Sequence, residues 1–258
     1  MPVSEGSYIG RHAELYDLIY ANKPYADEAA FVHRSIRAYQ PDAMRMLELA
    51  CGTGTHSLCL EKYGYQIIAT DYSPDMLARA KEKARKENSR VDFRLQDMRT
   101  LDLSERPFDV IICLFDSIGY VATNDNIFQV LKRIHRHLSQ DGLFLFEFWH
   151  AGAMLRHYDP LRVRRFYTPQ AEIERISETR ISHSEQLCHV SYTINELNKD
   201  GTYQTIVETQ RNRFFLVQEM SFFLEQAGFF PLKWYSGFEE NEQIDDTTWH
   251  VVCLARRA

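Results

Sequence analysis

The stretch from residue 44 to 149 constrains this chain most, because short apolar runs alternate there with amphipathic segments. "MRMLELA" reads as a buried strand, and the glycine-rich turn "CGTGTH" leads from it into a helix through "SLCLEKYG". "QIIATD", "VDFRLQD", "FDVIICLF" and "LFLFEFW" read as four further strands. Between the second and third, Ser73 stands as N-cap and Pro74 at the first helical position, with Met76, Leu77 and Ala80 on one face. Between the fourth and fifth, Ile127, Val130, Leu131, Ile134 and Leu138 share a helix face, and "SQDG" reads as the turn into the fifth strand. Strands alternating with helices predict right-handed crossovers and a parallel sheet covered on both faces.

The flanks differ. "AELYDLIY" and "YADEAAFVHRSIRAY" predict two N-terminal helices, closed by Pro41. After residue 150 the pattern turns β-rich. Cys188, Val190, Tyr192 and Ile194 alternate, "NKDG" supplies a turn, and Tyr203, Thr205 and Val207 alternate after it, which predicts a hairpin. "VQEMSFFLEQAG" returns as a helix ended by Gly228, and "FFPLKWYSG" and "TWHVVCLARR" read as two antiparallel final strands. The expected division is a helical lid over 1–40, a core over 41–150 and 215–258, and an inserted β-rich subdomain over 151–214 for acceptor binding or dimerisation.

Composition narrows the partners. Thirty basic against thirty-six acidic residues give a net charge of −6, which argues against long nucleic acid and for a small-molecule partner. No run of about 18 apolar residues exists to span a membrane, and "MPVSEGSYIG" lacks the basic start and apolar core of a signal peptide. The five cysteines form no C-x-x-C pair and suit neither a disulfide framework nor a zinc site, so no metal and a cytoplasmic location are expected.

Three ligands compete for the glycine turn. A triphosphate loop needs a lysine after its second glycine, and none follows Gly54. A dinucleotide loop needs a third glycine, where Ser57 stands, although Asp71 at the end of the second strand suits it. Taken one by one, these residues leave the dinucleotide and S-adenosylmethionine (SAM) readings both open.

The whole series decides: "LELACGTG", "ATDYSPDML", "LQDMR", "FDVIICLFDSIGY" and "HLSQDGLFLFEFW" occur in order, each where a strand ends. In this series the chain resembles the class I SAM-dependent methyltransferases. The resemblance implies a Rossmann-like α/β fold, a seven-stranded sheet with helices on both faces, plus a small antiparallel β insertion between strands 5 and 6. It implies SAM as cofactor, with Glu48 facing the methionine ammonium. Ala50, Gly52 and Gly54 would supply close backbone approach, and Asp71 would take the ribose hydroxyls. Tyr72, Met76, Asp97 and Met98 would surround the adenine, with Leu114 and Phe115 on the other side.

The wider resemblance is to N-methyltransferases acting on nucleotide-linked amino sugars, carried by "YDLIY", "QDMR", "DSIGY", "EFW" and the β insertion. It implies that Tyr20 lies near the sulfonium and Tyr25 near the methionine carboxylate. Tyr20, Tyr120 and His150 are its candidate catalytic residues, and Tyr120, Trp149 and His150 its acceptor-binding ones. Asp116 is a third candidate proton acceptor. The chain departs from that group at His150, where a tryptophan is usual. Arg162, Arg164 and Arg165 suit a diphosphate but equally suit a solvated face. A DNA amine enzyme's [DNS]-P-P-[YF], a Pro-Cys nucleophile and an acidic cluster for a metal-dependent enzyme are not found. An O-methyltransferase, a glycine-type N-methyltransferase and a non-catalytic SAM-binding protein stay open, as does a homodimer through the insertion.

Overall fold

The computed structural model describes residues 8–258. Its central strands form because both their faces are covered. In β1 (Arg45–Leu49), Met46 packs to one side and Leu47 and Leu49 to the other. β2 (Gln66–Asp71) and β3 (Asp92–Leu95) follow. In β4 (Phe108–Cys113), Val110 and Ile112 face one layer while Ile111 and Cys113 face the other. β5 (Leu138–Trp149) completes a parallel run in the order β3-β2-β1-β4-β5.

One helical layer holds α2 (Tyr25–Tyr39), α3 (Thr55–Glu61) and α4 (Pro74–Glu87), burying Ala29, Val32, Ile36, Leu58, Leu77 and Ala80 against the sheet. The other is led by α5 (Asn124–His137), where Ile127, Val130, Leu131 and Ile134 cover Phe144 and Phe146. Each fully buried aliphatic contributes about 1.5–3 kcal/mol. Ser73 caps α4 by accepting the Met76 N–H at 3.3 Å, as its sequence position predicts.

The "SQDG" segment differs from expectation. α5 runs directly into β5, and the pairing jumps from Phe108–Leu138 to Val110–Leu143. The extra residues form a bulge inside the strand, with Asp141 at φ 60°. A short helix, α6 (Ala151–His157), follows β5 and was not legible in the sequence.

The insertion is a four-stranded antiparallel sheet in the order β6 (Leu161–Tyr167), β7 (Ala171–Ser182), β8 (Leu187–Asn198) and β9 (Tyr203–Arg213). The predicted hairpin pairs Cys188 with Asn212 and Leu197 with Tyr203. α7 (Val217–Gln226) returns the chain to the main sheet. There β11 (His250–Arg257) lies between β5 and β10 (Phe229–Ser236), antiparallel to both. The main sheet therefore has seven strands, and the insertion falls between its fifth and sixth.

α1 (Arg11–Ile19) lies between the two sheets' territories. Leu15 and Ile19 pack on Ile173 and Ile194 of the insertion, while Ala13 and Tyr16 pack on Met76 of α4. His12 pairs with buried Glu208 of β9 at 3.0 Å, and Asp17 accepts the Thr53 hydroxyl of the glycine loop at 2.6 Å. Of the two N-terminal helices α1 alone has this bridging position, since α2 belongs to the helical layer on the sheet. Among the described residues no helix is long and apolar enough to cross a membrane.

Candidate active site

At the C-terminal ends of β1, β2, β4 and β5 three recesses meet. Phe115 lines all three, so it marks their junction.

The first recess is lined by Tyr16, Tyr25, Glu48, Ala50, Gly52, Leu114 and Phe115 among others. Glu48 is buried and accepts the Ser57 hydroxyl, and burial raises its carboxyl pKa. The Tyr25 ring stands edge-on to His56 at 4.8 Å. The second recess is lined by Ala50, Gly52, Asp71, Tyr72 and Met76, with Tyr8, Tyr16 and Tyr120. Asp71 ends β2 with its carboxylate accepting the backbone N–H groups of Gly52 and Ser73, both at 2.8 Å, and that of Tyr72 as well. Burial raises its pKa despite these bonds.

The two loop glycines have different tasks. Gly52 has φ 56° and lines both recesses, where only a Met76 methyl would meet an added Cβ, at 3.3 Å. Gly54 has φ 76° and lines neither; an added Cβ would lie 2.6 Å from the buried Phe93 ring. It permits close packing of α3 and α4 on β3, the task of the third glycine in a dinucleotide loop.

Asp97 and Met98 are also outside both recesses. Asp97 pairs with Arg99 at 2.5 Å, and this outweighs burial to lower its pKa, while Met98 packs on the core beneath α5.

The third recess is a cavity of about 880 Å³ between the sheet edge and the insertion. Tyr20, Tyr120 and Trp149 line it, as does Arg175. Tyr20 stands edge-on to Phe115 at 5.1 Å. Tyr120 donates to Gln210 at 2.9 Å, and burial lifts its phenol well above its ordinary pKa. Arg162, Arg164 and Arg165 line this cavity too; all three are exposed, and Arg165 pairs with Glu174 at 3.1 Å.

His150 is placed elsewhere. Its Nδ1 lies 3.2 Å from the Thr248 carbonyl, its ring abuts Gly152, and it is not among the residues lining the cavity. The histidine that does line it is His250, the first residue of β11, paired across the sheet with Trp149. Its Nδ1 lies 2.9 Å from Asp116 and 3.1 Å from Glu147, and Glu147 also accepts the Phe115 N–H at 2.7 Å. Asp116 and Glu147 thus bring two carboxylates against one strand-end histidine. Tyr16 and His250 were missed as site residues. Tyr16 lay within the quoted "YDLIY", and β11 running against β5 brings His250 to this edge.

The sheet order with one reversed strand, the glycine turn and the strand-end carboxylates define a class I methyltransferase. Comparison with known proteins agrees. A methyltransferase domain matches residues 46–142. A Streptomyces fradiae dTDP-3-amino-3,6-dideoxy-α-D-glucopyranose N,N-dimethyltransferase is 32% identical over 184 residues, 70% of this chain and 67% of that protein. A Geobacillus protein (strain WCH70) named only as a methyltransferase is 28% identical over 244 residues, 94% of this chain and 96% of its own length. In structure, the chain is similar to an amino pentose methyltransferase from Micromonospora echinaspora solved with SAM bound. The TM-score is 0.76, at 23% identity, covering 99% of this chain and 100% of that one. The chain belongs to the SAM-dependent methyltransferases. It is an enzyme of that class, with SAM as cofactor and amino-sugar N-methyltransferases among its relatives.

The donor set fits SAM. Gly52 leaves room for the ligand at the backbone, Asp71 presents a carboxylate to the second recess, and Glu48 is a buried carboxylate without a lysine or arginine partner among the described residues.

Proposed function

We propose that the chain transfers the methyl group of SAM to the amine of a small molecule, a nucleotide-linked amino sugar. The observation that carries this reading is the cavity of about 880 Å³ that opens at Phe115 and is lined by Arg162, Arg164, Arg165 and Arg175. That size suits a metabolite rather than a polymer, and guanidinium groups match diphosphate oxygens in pairs.

In this reading the first recess takes the methionine part of SAM, with Glu48 toward its ammonium and Tyr25 near its carboxylate. The second takes the ribose on Asp71, with Tyr72 and Met76 against the adenine. Asp97 and Met98, which follow β3 and lie outside this recess, would meet the adenine where it extends beyond the recess. SAM supplies an electrophilic methyl group on a cationic sulfur. The chain's own task is alignment in line with that group, and Tyr20, edge-on to Phe115, holds the methyl at the junction. Tyr120, kept protonated by burial, orients the acceptor through its hydroxyl, and Trp149 offers a face to the sugar. The relative whose name specifies a dTDP-amino sugar supports this choice of acceptor.

The test is transfer of labelled methyl from SAM to dTDP-3-amino-3,6-dideoxyglucose, to the same sugar without its nucleotide, to glycine and to simple phenols. Label on the nucleotide-linked sugar, with kcat/KM at least tenfold above the free sugar, is expected. Replacing Arg162, Arg164 and Arg165 together by alanine removes that preference. Label on glycine or phenols alone overturns the acceptor.

A further inference from the structure

A sugar amine reaches the cavity mainly as an ammonium, so a proton must leave before nitrogen can attack carbon. Four groups near the junction are candidate acceptors, and one of them, Asp116, has both its oxygens turned to the His250 Nδ1. Tyr120 is held protonated by its burial. His150 is turned to Thr248 and Gly152. His250 remains.

Its setting is that of a base with an orienting partner. Nδ1 lies 3.0 Å from one oxygen of Asp116, 2.9 Å from the other, and 3.1 Å from Glu147. Two carboxylates around one ring nitrogen fix the proton of the neutral imidazole on Nδ1, which leaves the lone pair on Nε2. Nε2 has no hydrogen-bond partner among the described residues, and the ring lines the acceptor cavity. The backbone ties this group to the junction, because Asp116 follows Phe115 and Glu147 accepts the Phe115 N–H at 2.7 Å.

We propose that His250 is the proton acceptor of the methyl transfer, with Asp116 and Glu147 as its positioning residues. The proposal rests on the acceptor being an amine. The N–H bond of the ammonium breaks, its electron pair stays on nitrogen, and the proton joins Nε2. The freed lone pair takes the methyl carbon as the carbon–sulfur bond breaks and its electrons pass to sulfur. The imidazolium later releases its proton to water through the open cavity. Two carboxylates offset the positive charge that gathers there from sulfonium, ammonium and Lys23, whose charge also acts on Asp116 and Glu147.

The charges set the pH dependence. Burial opposes the imidazolium, but Asp116 and Glu147 outweigh it and hold the His250 pKa well above 6.5. Burial likewise pushes Asp116 up to about 6, His250 opposing it, while His250 and Lys23 hold Glu147 low against burial. Transfer needs neutral His250, so activity rises with pH through this raised value.

The test compares kcat/KM against pH for wild type, His250→Gln and Asp116→Asn, with dTDP-3-amino-3,6-dideoxyglucose as acceptor. SAM affinity by calorimetry checks that each variant folds. His250→Gln is expected to lose about 100-fold or more and the acidic limb assigned to the ring. Asp116→Asn is expected to move that limb to lower pH, because the imidazolium loses a negative neighbour; any limb due to the sugar amine is common to all three proteins. A His250→Gln enzyme within threefold of wild type, or an unmoved limb in Asp116→Asn, overturns the proposal.

Ring nitrogen resonances of ¹⁵N-histidine-labelled protein supply an arm that needs no acceptor. His250 is expected to titrate above 6.5, with its neutral form protonated on Nδ1. Titration below 6.5, or a neutral form protonated on Nε2, overturns the proposal even if no amine is methylated. Failure of wild type on every amine, with the ring behaving as expected, instead overturns the amine-acceptor reading.

Discussion

Gly54→Ala and Gly52→Ala separate packing from ligand approach within one turn. At Gly54 the new methyl must sit at φ 76°, which costs an L-residue about 1–2 kcal/mol. It also lies 2.6 Å from two ring atoms of Phe93 and 3.1 Å from the Ala80 methyl. Phe93 and Ala80 are both buried, so neither yields easily, and overpacking adds about 1–3 kcal/mol. The sum, about 2–5 kcal/mol, lowers Tm by roughly 4–20 °C in a domain of this size. At Gly52, φ 56° carries a similar left-handed cost, but the only close atom is the end of the flexible Met76 side chain at 3.3 Å. Gly52→Ala is therefore expected to melt closer to wild type and to lose more SAM affinity, because Gly52 lines both small recesses. Scanning calorimetry and SAM titration on the same samples measure both quantities. A Gly54→Ala protein melting within 2 °C (roughly 1 kcal/mol or less) of wild type refutes the packing argument. Equal SAM losses in the two variants refute the division of tasks.

Asp71→Asn removes the charge that organises Gly52 and Ser73 and faces the second recess. Losing a hydrogen bond to a charged acceptor costs about 1.5–3 kcal/mol, so SAM affinity should fall roughly 10- to 150-fold by calorimetry; a change under about twofold speaks against the assignment. Burial raises the pKa of both Glu48 and Asp71, and a bound ammonium favours ionised Glu48, so bound SAM lowers that pKa. SAM binding should therefore weaken on acidification, beginning above the ordinary carboxylate range; calorimetry from neutral to acid pH tests it, and a flat affinity contradicts it. Glu208 is buried, yet His12, Gln210 and the Tyr8 N–H lower its pKa. Its stabilisation is complete above the unfolded value of about 4.3 and lost as pH falls through the folded one. Urea midpoints should accordingly fall less on acidification in Glu208→Gln than in wild type, and parallel curves would refute this.

The legible part of this protein is the part built from local signals. The strand–helix alternation, the Ser73 cap and the turn at 198–201 each depend on neighbours in sequence, and each appears where expected. The bulge at Asp141 was not legible, because a Gln-Asp-Gly run looks the same whether it ends a strand or loops out of one. Nor was the difference between the glycines, since only Phe93, thirty-nine residues beyond Gly54, tells packing from ligand approach.

His150 and His250 show the same limit at the site itself. In a parallel sheet the edge that holds ligands is found at the end of each strand, and by that rule His150 follows Trp149 into the site. β5, however, continues straight into α6, and the side chain turns away toward Thr248. β11 runs the other way, so its beginning, not its end, reaches the same edge, and His250 faces Trp149 across the ladder. The final strands do read as antiparallel to each other, but their order beside β5 is set by long-range pairing. A reversed strand therefore adds its first residue to the ring of strand ends. His250 thereby stands against Asp116 and Glu147, which come from chain segments more than a hundred residues away.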